Sequence, residues 1–230
     1  MVLRRAFLAG AALVLAAPAL AADPPYLTAR QLDLSIMLPP PPAPGSALQA
    51  QEVQQVVAVQ HAASPERIKQ AQADAEETVW AMFTPTLGDR FSAEKLPKAA
   101  AFFQRVTDSE DEVVDPAKKV FGRKRPFQAS ADVQKIEPAS SSGSWPSGHT
   151  TRVTMCAIIL AAMLPEQREA IWARAADYAQ SRIVLGMHYP LDLEAGQRAG
   201  TAMAALMFAG PSFPMDYEAA KAEVRTALAP

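Results

Sequence analysis

Three short polar clusters, each set where a helical apolar pattern starts or stops, constrain this chain more than any other feature. They are Lys118 with Arg125-Pro126, then Pro146-Ser147-Gly148-His149, then Ser181-Arg182 with His188 and Asp192. Two of the three histidines of the sequence fall in this span. If the clusters act together, the fold must bring several helix ends to one place, with the rest of the chain as a helical frame.

A chain of 230 residues, half of them hydrophobic, suffices for one domain of ordinary size or two small ones. Residues 1–21 read as an export signal peptide: Arg4-Arg5 precede an apolar run from Ala6 to Leu20, and Ala19-Leu20-Ala21 offers the small residues of a cleavage site. An uncleaved anchor is the alternative, although the run falls short of the roughly 20 apolar residues that a membrane span needs. Without this leader, 20 Lys and Arg face 24 acids, a net charge of -4, and no nucleic-acid partner is expected. Val153 to Leu164, the longest later apolar run, is too short for a bilayer, so no membrane span is expected in the mature chain. Cys156 lies in that run; as a lone cysteine it closes no internal disulfide and reads as a buried, inert thiol.

Residues 22–46 form a proline-rich arm, extended at Pro39 to Pro42 because four consecutive prolines forbid helix. Leu32, Leu34, Ile36, Met37 and Leu38 predict that it packs on the domain; a loose linker is the alternative. Residues 47–230 read as a helical domain without repeats. The spacing predicts a helix over Leu48 to His61, with His61 at the surface. Ser64-Pro65 starts a second, whose stripe runs through Ile68, Ala71, Ala75, Val79 and Met82. A third begins near Leu96-Pro97 and gives way at the acidic run Asp108 to Glu112. That run reads as solvated, with a hard-cation site as the alternative. Asp115-Pro116 then restarts a helix.

Lys118 and Arg125, seven residues apart, are expected on one face of that helix, two turns apart, with Pro126 ending it. Two fixed cations would clamp a dianion; a plain basic stretch is the alternative. Ser147 reads as the cap of a helix from Thr150 to Leu164. Such a helix start presents backbone N–H groups to an oxyanion, and Gly148 permits close approach. His149 shares a stripe with Val153, Cys156 and Leu160, so it is either a site residue or a satisfied core histidine. A helix from Pro165 carries Arg182 in its last turns and is stopped by Gly186; Pro190 opens the next. Asp192 is expected to take the Nδ1–H of His188 and leave Nε2 free, which orients a nucleophile. A metal pair is the alternative, with further ligands lacking.

Lys, six residues, Arg-Pro; then Pro-Ser-Gly-His; then Ser-Arg, five residues, His, three residues, Asp: this order resembles the signature of the type 2 phosphatidic acid phosphatase superfamily. Every position is met, at Lys118, Arg125, Pro126, Pro146, Ser147, Gly148, His149, Ser181, Arg182, His188 and Asp192. Within it the chain looks most like the bacterial class A non-specific acid phosphatases. The export signal, Leu38 to Pro42 followed by Gly45-Ser46, Gly143-Ser144 before Trp145-Pro146, and Leu185-Gly186-Met187-His188-Tyr189 carry that likeness. The resemblance implies an all-α helical bundle of the acid phosphatase/vanadium haloperoxidase type. It implies a periplasmic, homo-oligomeric enzyme that hydrolyses small phosphomonoesters broadly through a phosphohistidine, without metal or cofactor. His188, His149 and Asp192 would be catalytic, and Lys118, Arg125, Ser147, Gly148 and Arg182 would bind phosphate. A vanadium-dependent haloperoxidase-like enzyme, a lipid phosphatase and a non-catalytic phosphate binder are the alternatives.

Overall fold

The structure, a computed structural model, describes residues 23–138 and 141–229, and the expected signal peptide lies outside the described residues. Among the described residues the chain is helical, with no strand. The order is α1 (Leu34–Met37), α2 (Ala47–Ala62), α3 (Pro65–Ala73), α4 (Val79–Leu87), α5 (Pro97–Phe121), α6 (Pro126–Ala129), α7 (Gly148–Met163), α8 (Arg168–Val184), α9 (Pro190–Ala209) and α10 (Phe213–Leu228). The arm packs on the bundle as expected: Tyr26, Leu27, Leu34 and Leu38 are buried, whereas Ile36 and Met37 face outward.

Helix α7 is the axis of the bundle because it is apolar on nearly every side, from Val153, Met155 and Cys156 to Ile159, Leu160 and Met163. A helix of that kind must be surrounded, and α4, α5, α8, α9 and α10 all pack on it. Burial pushes the Cys156 thiol up to about 12, so it stays an inert core group. The closest neighbour is α9. Gly196 lies against the Ser147 carbonyl and Thr150, and Gly200 against the Thr151 carbonyl and Thr154. The two helices therefore run parallel, with their N-terminal ends side by side.

A Cβ at position 200 would sit 2.5 Å from the Thr151 oxygen. Gly200→Ala would gain about 1 kcal/mol of helix propensity, but forcing two packed helices apart costs about 1–3 kcal/mol. The expected net result is a destabilisation on the order of 1–2 kcal/mol, measured as a lowered urea midpoint. A raised midpoint would show that α9 can retreat freely.

Four local expectations are corrected. The stripe from Ile68 to Met82 is two helices, not one, because residues 74–78 leave helical geometry. Asp74 is drawn to Arg174 of α8, whose Nη2 lies 2.6 Å from its Oδ1, and Thr78 caps α4. Helix α5 does not pause at Asp108 to Glu112 or restart at Pro116. Its buried stripe, Val106, Ser109, Glu110, Val113, Val114 and Ala117, is continuous and outweighs the hydrogen bond that Pro116 cannot make. Within the acidic run Glu110 is buried, not solvated, and pairs with Arg152 of α7. Finally, Lys118 and Arg125 do not share a helix. Gly122, at φ +57, ends α5 in the left-handed conformation, and Pro126 starts α6 with Arg125 as its N-cap.

Candidate active site

The segment between α8 and α9 sets the first histidine. Gly186, at φ +73, turns the chain so tightly against Gln134 that a Cβ would lie 2.3 Å from its carbonyl oxygen. The backbone N–H of His188 then donates to the Arg182 carbonyl at 3.3 Å. The ring is buried. Its Nδ1 lies 2.9 Å from the Ser144 carbonyl, which can only accept, so Nδ1 carries the hydrogen. Nε2 lies 3.2 Å from Arg125 Nη1, which can only donate, so Nε2 carries a lone pair. Burial, then the charges of Arg125, Arg182 and Lys118, hold the imidazole well below the usual histidine value and keep it neutral.

Asp192 does not take the expected part as principal acceptor of Nδ1–H. Its Oδ2 is 3.4 Å from Nδ1, farther than the Ser144 carbonyl. As the third residue of α9 it instead accepts the Tyr189 N–H at 2.8 Å, capping its own helix, and its Oδ1 receives Arg123 Nη1 at 2.5 Å. Burial pushes this carboxyl up to about 7 against the opposing pull of Arg123 and the Tyr189 N–H.

Three cations converge in front of His188. Arg125 is held by the carbonyls of Ser142 (3.2 Å, from Nε) and Met187 (3.1 Å, from Nη1). Arg182, in the last turn of α8, gives Nη2 to Glu137 at 2.7 Å. Among the described residues its buried Nε and Nη1 have no partner, and such donors call for an oxyanion. Lys118, in the last turn of α5, reaches beside Gly148, where a Cβ would lie 2.9 Å from its Nζ. Lys118, Arg125, Arg182, His149 and His188 line one cavity of about 170 Å³. A larger cavity of about 510 Å³ across Lys118, between the end of α5 and residues 141–143, carries neither histidine. Ser147 caps α7, its Oγ receiving the Thr150 N–H at 3.3 Å, which leaves the N–H groups of Gly148 and His149 without an intrahelical acceptor.

His149 is therefore a wall of the cavity rather than a core residue. Its Nδ1 pairs with the Glu77 carboxylate, its Nε2 lies 3.2 Å from the Ala75 carbonyl, and Tyr178 stacks on the ring at 6.1 Å. Acceptors on both sides suit an imidazolium with a hydrogen on each nitrogen. Burial and then Arg182 bring its pKa down to about 4, opposed by Glu77 and the Ala75 carbonyl. Despite its own burial, His149 and Arg152 bring the Glu77 carboxyl down to about 2.

Helix ends that gather two histidines and three cations around one small cavity define the class: residues 106–215, which contain all three clusters, match the PAP2 superfamily, and the chain belongs to it. Its relatives over most of its length are bacterial acid phosphatases. It is 31% identical to an acid phosphatase of Zymomonas mobilis over 85% of this chain and 76% of that one. It is 27% identical to a non-specific acid phosphatase of Providencia stuartii, over 84% and 81%. Its fold is similar to that of the transmembrane PAP2-type phosphatidylglycerolphosphate phosphatase of Bacillus subtilis, with a TM-score of 0.50 at 17% identity over 76% of this chain and 89% of that one. No helix among the described residues of this chain is long and apolar enough to cross a membrane.

The structure brings in side chains that the sequence reading missed: Glu77, Glu137, Arg123 and, through its carbonyl, Ser144. Arg123 left a trace as a basic residue two places before Arg125, and Ser144 in the Gly143-Ser144 pair; Glu77 and Glu137 left none.

Proposed function

We propose that the chain hydrolyses phosphomonoesters in two steps through a phosphohistidine on His188. The observation that supports this reading is the cavity itself, where the His188 Nε2 lone pair and His149, with an acceptor at each ring nitrogen, meet the same three cations. In the first step Nε2 attacks phosphorus in line. The bond from phosphorus to the leaving oxygen breaks, and His149 gives that oxygen a proton. Lys118, Arg125, Arg182 and the N–H groups of Gly148 and His149 stabilise charge on the equatorial oxygens. In the second step neutral His149 takes a proton from water as it attacks phosphorus. The N–P bond breaks, its electron pair returns to His188, and orthophosphate leaves. Asp192 steadies the His188 turn through the cap of α9.

The cavity leaves little room beyond the phosphoryl group and the first atoms of the leaving group, which supports broad specificity for small phosphomonoesters. Export to the periplasm rests on the leader pattern, and self-association on the family resemblance. Because side-chain cations carry the charge, full activity is expected in excess chelator, assayed with p-nitrophenyl phosphate; a rate lost to chelator and restored by a divalent ion would refute metal independence.

The experiment that tests the reading is a rapid quench during turnover of phosphoryl-labelled substrate, followed by peptide mapping. Acid-labile label on the peptide containing His188 is expected. Label on another residue, or no labelled enzyme during turnover, would sink the reading.

The histidine pair also sets the pH dependence. Protonated His149 is the active form, so the rate falls as pH rises through its pKa. Burial and Arg182 hold that value low; a bound dianion adds opposite charge and raises it. After correction for substrate ionisation, the falling limb of kcat is expected at higher pH than that of kcat/KM, by about one unit or more. Coincident limbs would remove His149 from the acid role.

A further inference from the structure

The turn between α3 and α4 places a carboxylate in the cavity wall that none of the three clusters includes. We propose that Glu77 is a positioning residue for the acid–base step, fixing His149 by its Nδ1–H so that one nitrogen, Nε2, acts first as acid and then as base. This inference rests on the role proposed above for His149.

The placement is built rather than incidental. Glu77 meets His149 Nδ1 at one carboxylate oxygen, and its other oxygen lies 3.1 Å from Arg152 Nη1. Arg152 follows His149 by three residues on α7 and is itself locked by Glu110 and Asp111 of α5. The turn that carries Glu77 is pinned on its other side by α8. There Arg174 and the Ser181 hydroxyl hold Asp74, and the Tyr178 hydroxyl donates to the Glu76 carbonyl at 2.9 Å. Ser181 of the third cluster thus acts through Asp74 to hold the turn that faces His149. His149 Nε2 meets the Ala75 carbonyl at 3.2 Å on the cavity wall, a long contact that a leaving oxygen can replace.

The chemistry follows from that geometry. When Nε2–H passes its proton to the leaving oxygen, the ring keeps its other proton on Nδ1, against Glu77. The lone pair then appears on Nε2, facing the water of the second step. Without an acceptor on Nδ1 the ring can adopt either tautomer, and the wrong one presents N–H to the water. The charge of Glu77 also matters. The groups facing His149 are Arg182 and Tyr178 of α8, Lys118 of α5, Arg125 at the start of α6, His188 across the cavity, Arg152 on its own helix and Glu137, which is paired with Arg182; Glu77 is the carboxylate in contact with the ring. Removing its charge leaves those cations less opposed and makes His149 harder to protonate.

The test compares Glu77→Gln and Glu77→Asp with the parent on two substrates. p-Nitrophenyl phosphate has a leaving oxygen that needs little protonation; glycerol phosphate needs a full proton. For Glu77→Gln, kcat/KM on glycerol phosphate is expected to fall about 10–100-fold and that on p-nitrophenyl phosphate by less than about threefold. The falling pH limb should move to lower pH, and Glu77→Asp should recover part of both effects. Equal losses on the two substrates with an unmoved limb would reduce Glu77 to a structural tie, and no loss at all would overturn the proposal. Label trapping on His188 in the parent separates the failures. If the parent shows no phosphohistidine the hydrolase reading falls; if it does and Glu77→Gln keeps the parent's leaving-group dependence, this inference alone falls.

Discussion

His188→Ala is expected to lower kcat/KM for p-nitrophenyl phosphate by about 10⁴-fold or more while leaving phosphate binding within an order of magnitude of the parent. The first half follows from the role proposed for His188 as nucleophile. Nδ1–H is committed to Ser144 and Nε2 presents its lone pair, so losing the ring removes the bond-forming atom rather than a charge. The second half follows from how the cations are held. Arg125 keeps the carbonyls of Met187 and Ser142, Arg182 keeps Glu137, and Lys118 remains beside Gly148. The variant should therefore still bind orthophosphate as a competitive inhibitor does, measured by calorimetry, with turnover measured in parallel. Comparable losses of binding and turnover would mean that His188 organises the pocket rather than attacks phosphorus. A variant with more than a tenth of the parent's activity would place the nucleophile elsewhere.

The parts of this arrangement that the sequence announces are those whose causes lie close in the chain. Ser147 caps α7, Gly186 and Pro190 punctuate the turn that carries His188, and the apolar run after His149 marks the central helix, so three helices and both histidines follow from neighbours within a few residues. The parts that stay hidden have distant causes. The stripe from Ile68 to Met82 keeps its helical period straight through residues 74–78. What breaks it is the attachment of Asp74 to Arg174 and Ser181, about a hundred positions away. Glu77 sits inside that apparently continuous helix, and local periodicity cannot reveal that its carboxylate turns toward His149. The clamp of Lys118 and Arg125 was expected for the wrong reason. The two cations do line one cavity, yet Gly122 separates them into different elements, and the folded chain rather than one helix face brings them together.

Arg123 is the clearest example of a residue whose weight only the packing discloses, and Arg123→Met is expected to cost about 3–5 kcal/mol of stability near neutral pH. In sequence it is one of several basic residues after Lys118. In the fold it is buried beneath the site. One arm of its fork meets Asp192 and the other Glu52 of α2, each at 2.5 Å, and its guanidinium stacks over the Tyr189 ring at 4.0 Å. Glu52 in turn accepts the Leu191 N–H at 3.0 Å, and the Asp192 carbonyl accepts the Ser147 N–H at 3.1 Å. One cation thereby ties α2, the start of α9 and the start of α7 into the floor below His188. Methionine fills much of the same volume but leaves two buried carboxylates unopposed. The sign of the pH effect follows. Burial already raises the folded Asp192 carboxyl to about 7, above its unfolded value of about 3.9, so its contribution is fully present below about pH 4 and is lost as pH rises through the folded value. Without Arg123 that folded value climbs further. The deficit of the variant should therefore be small near pH 4 and grow through pH 7 and above, as read from urea midpoints across that range. A deficit that does not change with pH would mean that the lost stacking on Tyr189, not the stranded carboxylates, sets the cost. Arg123→Lys should restore only part of the loss, because a single ammonium cannot span two carboxylates that a planar fork reaches together.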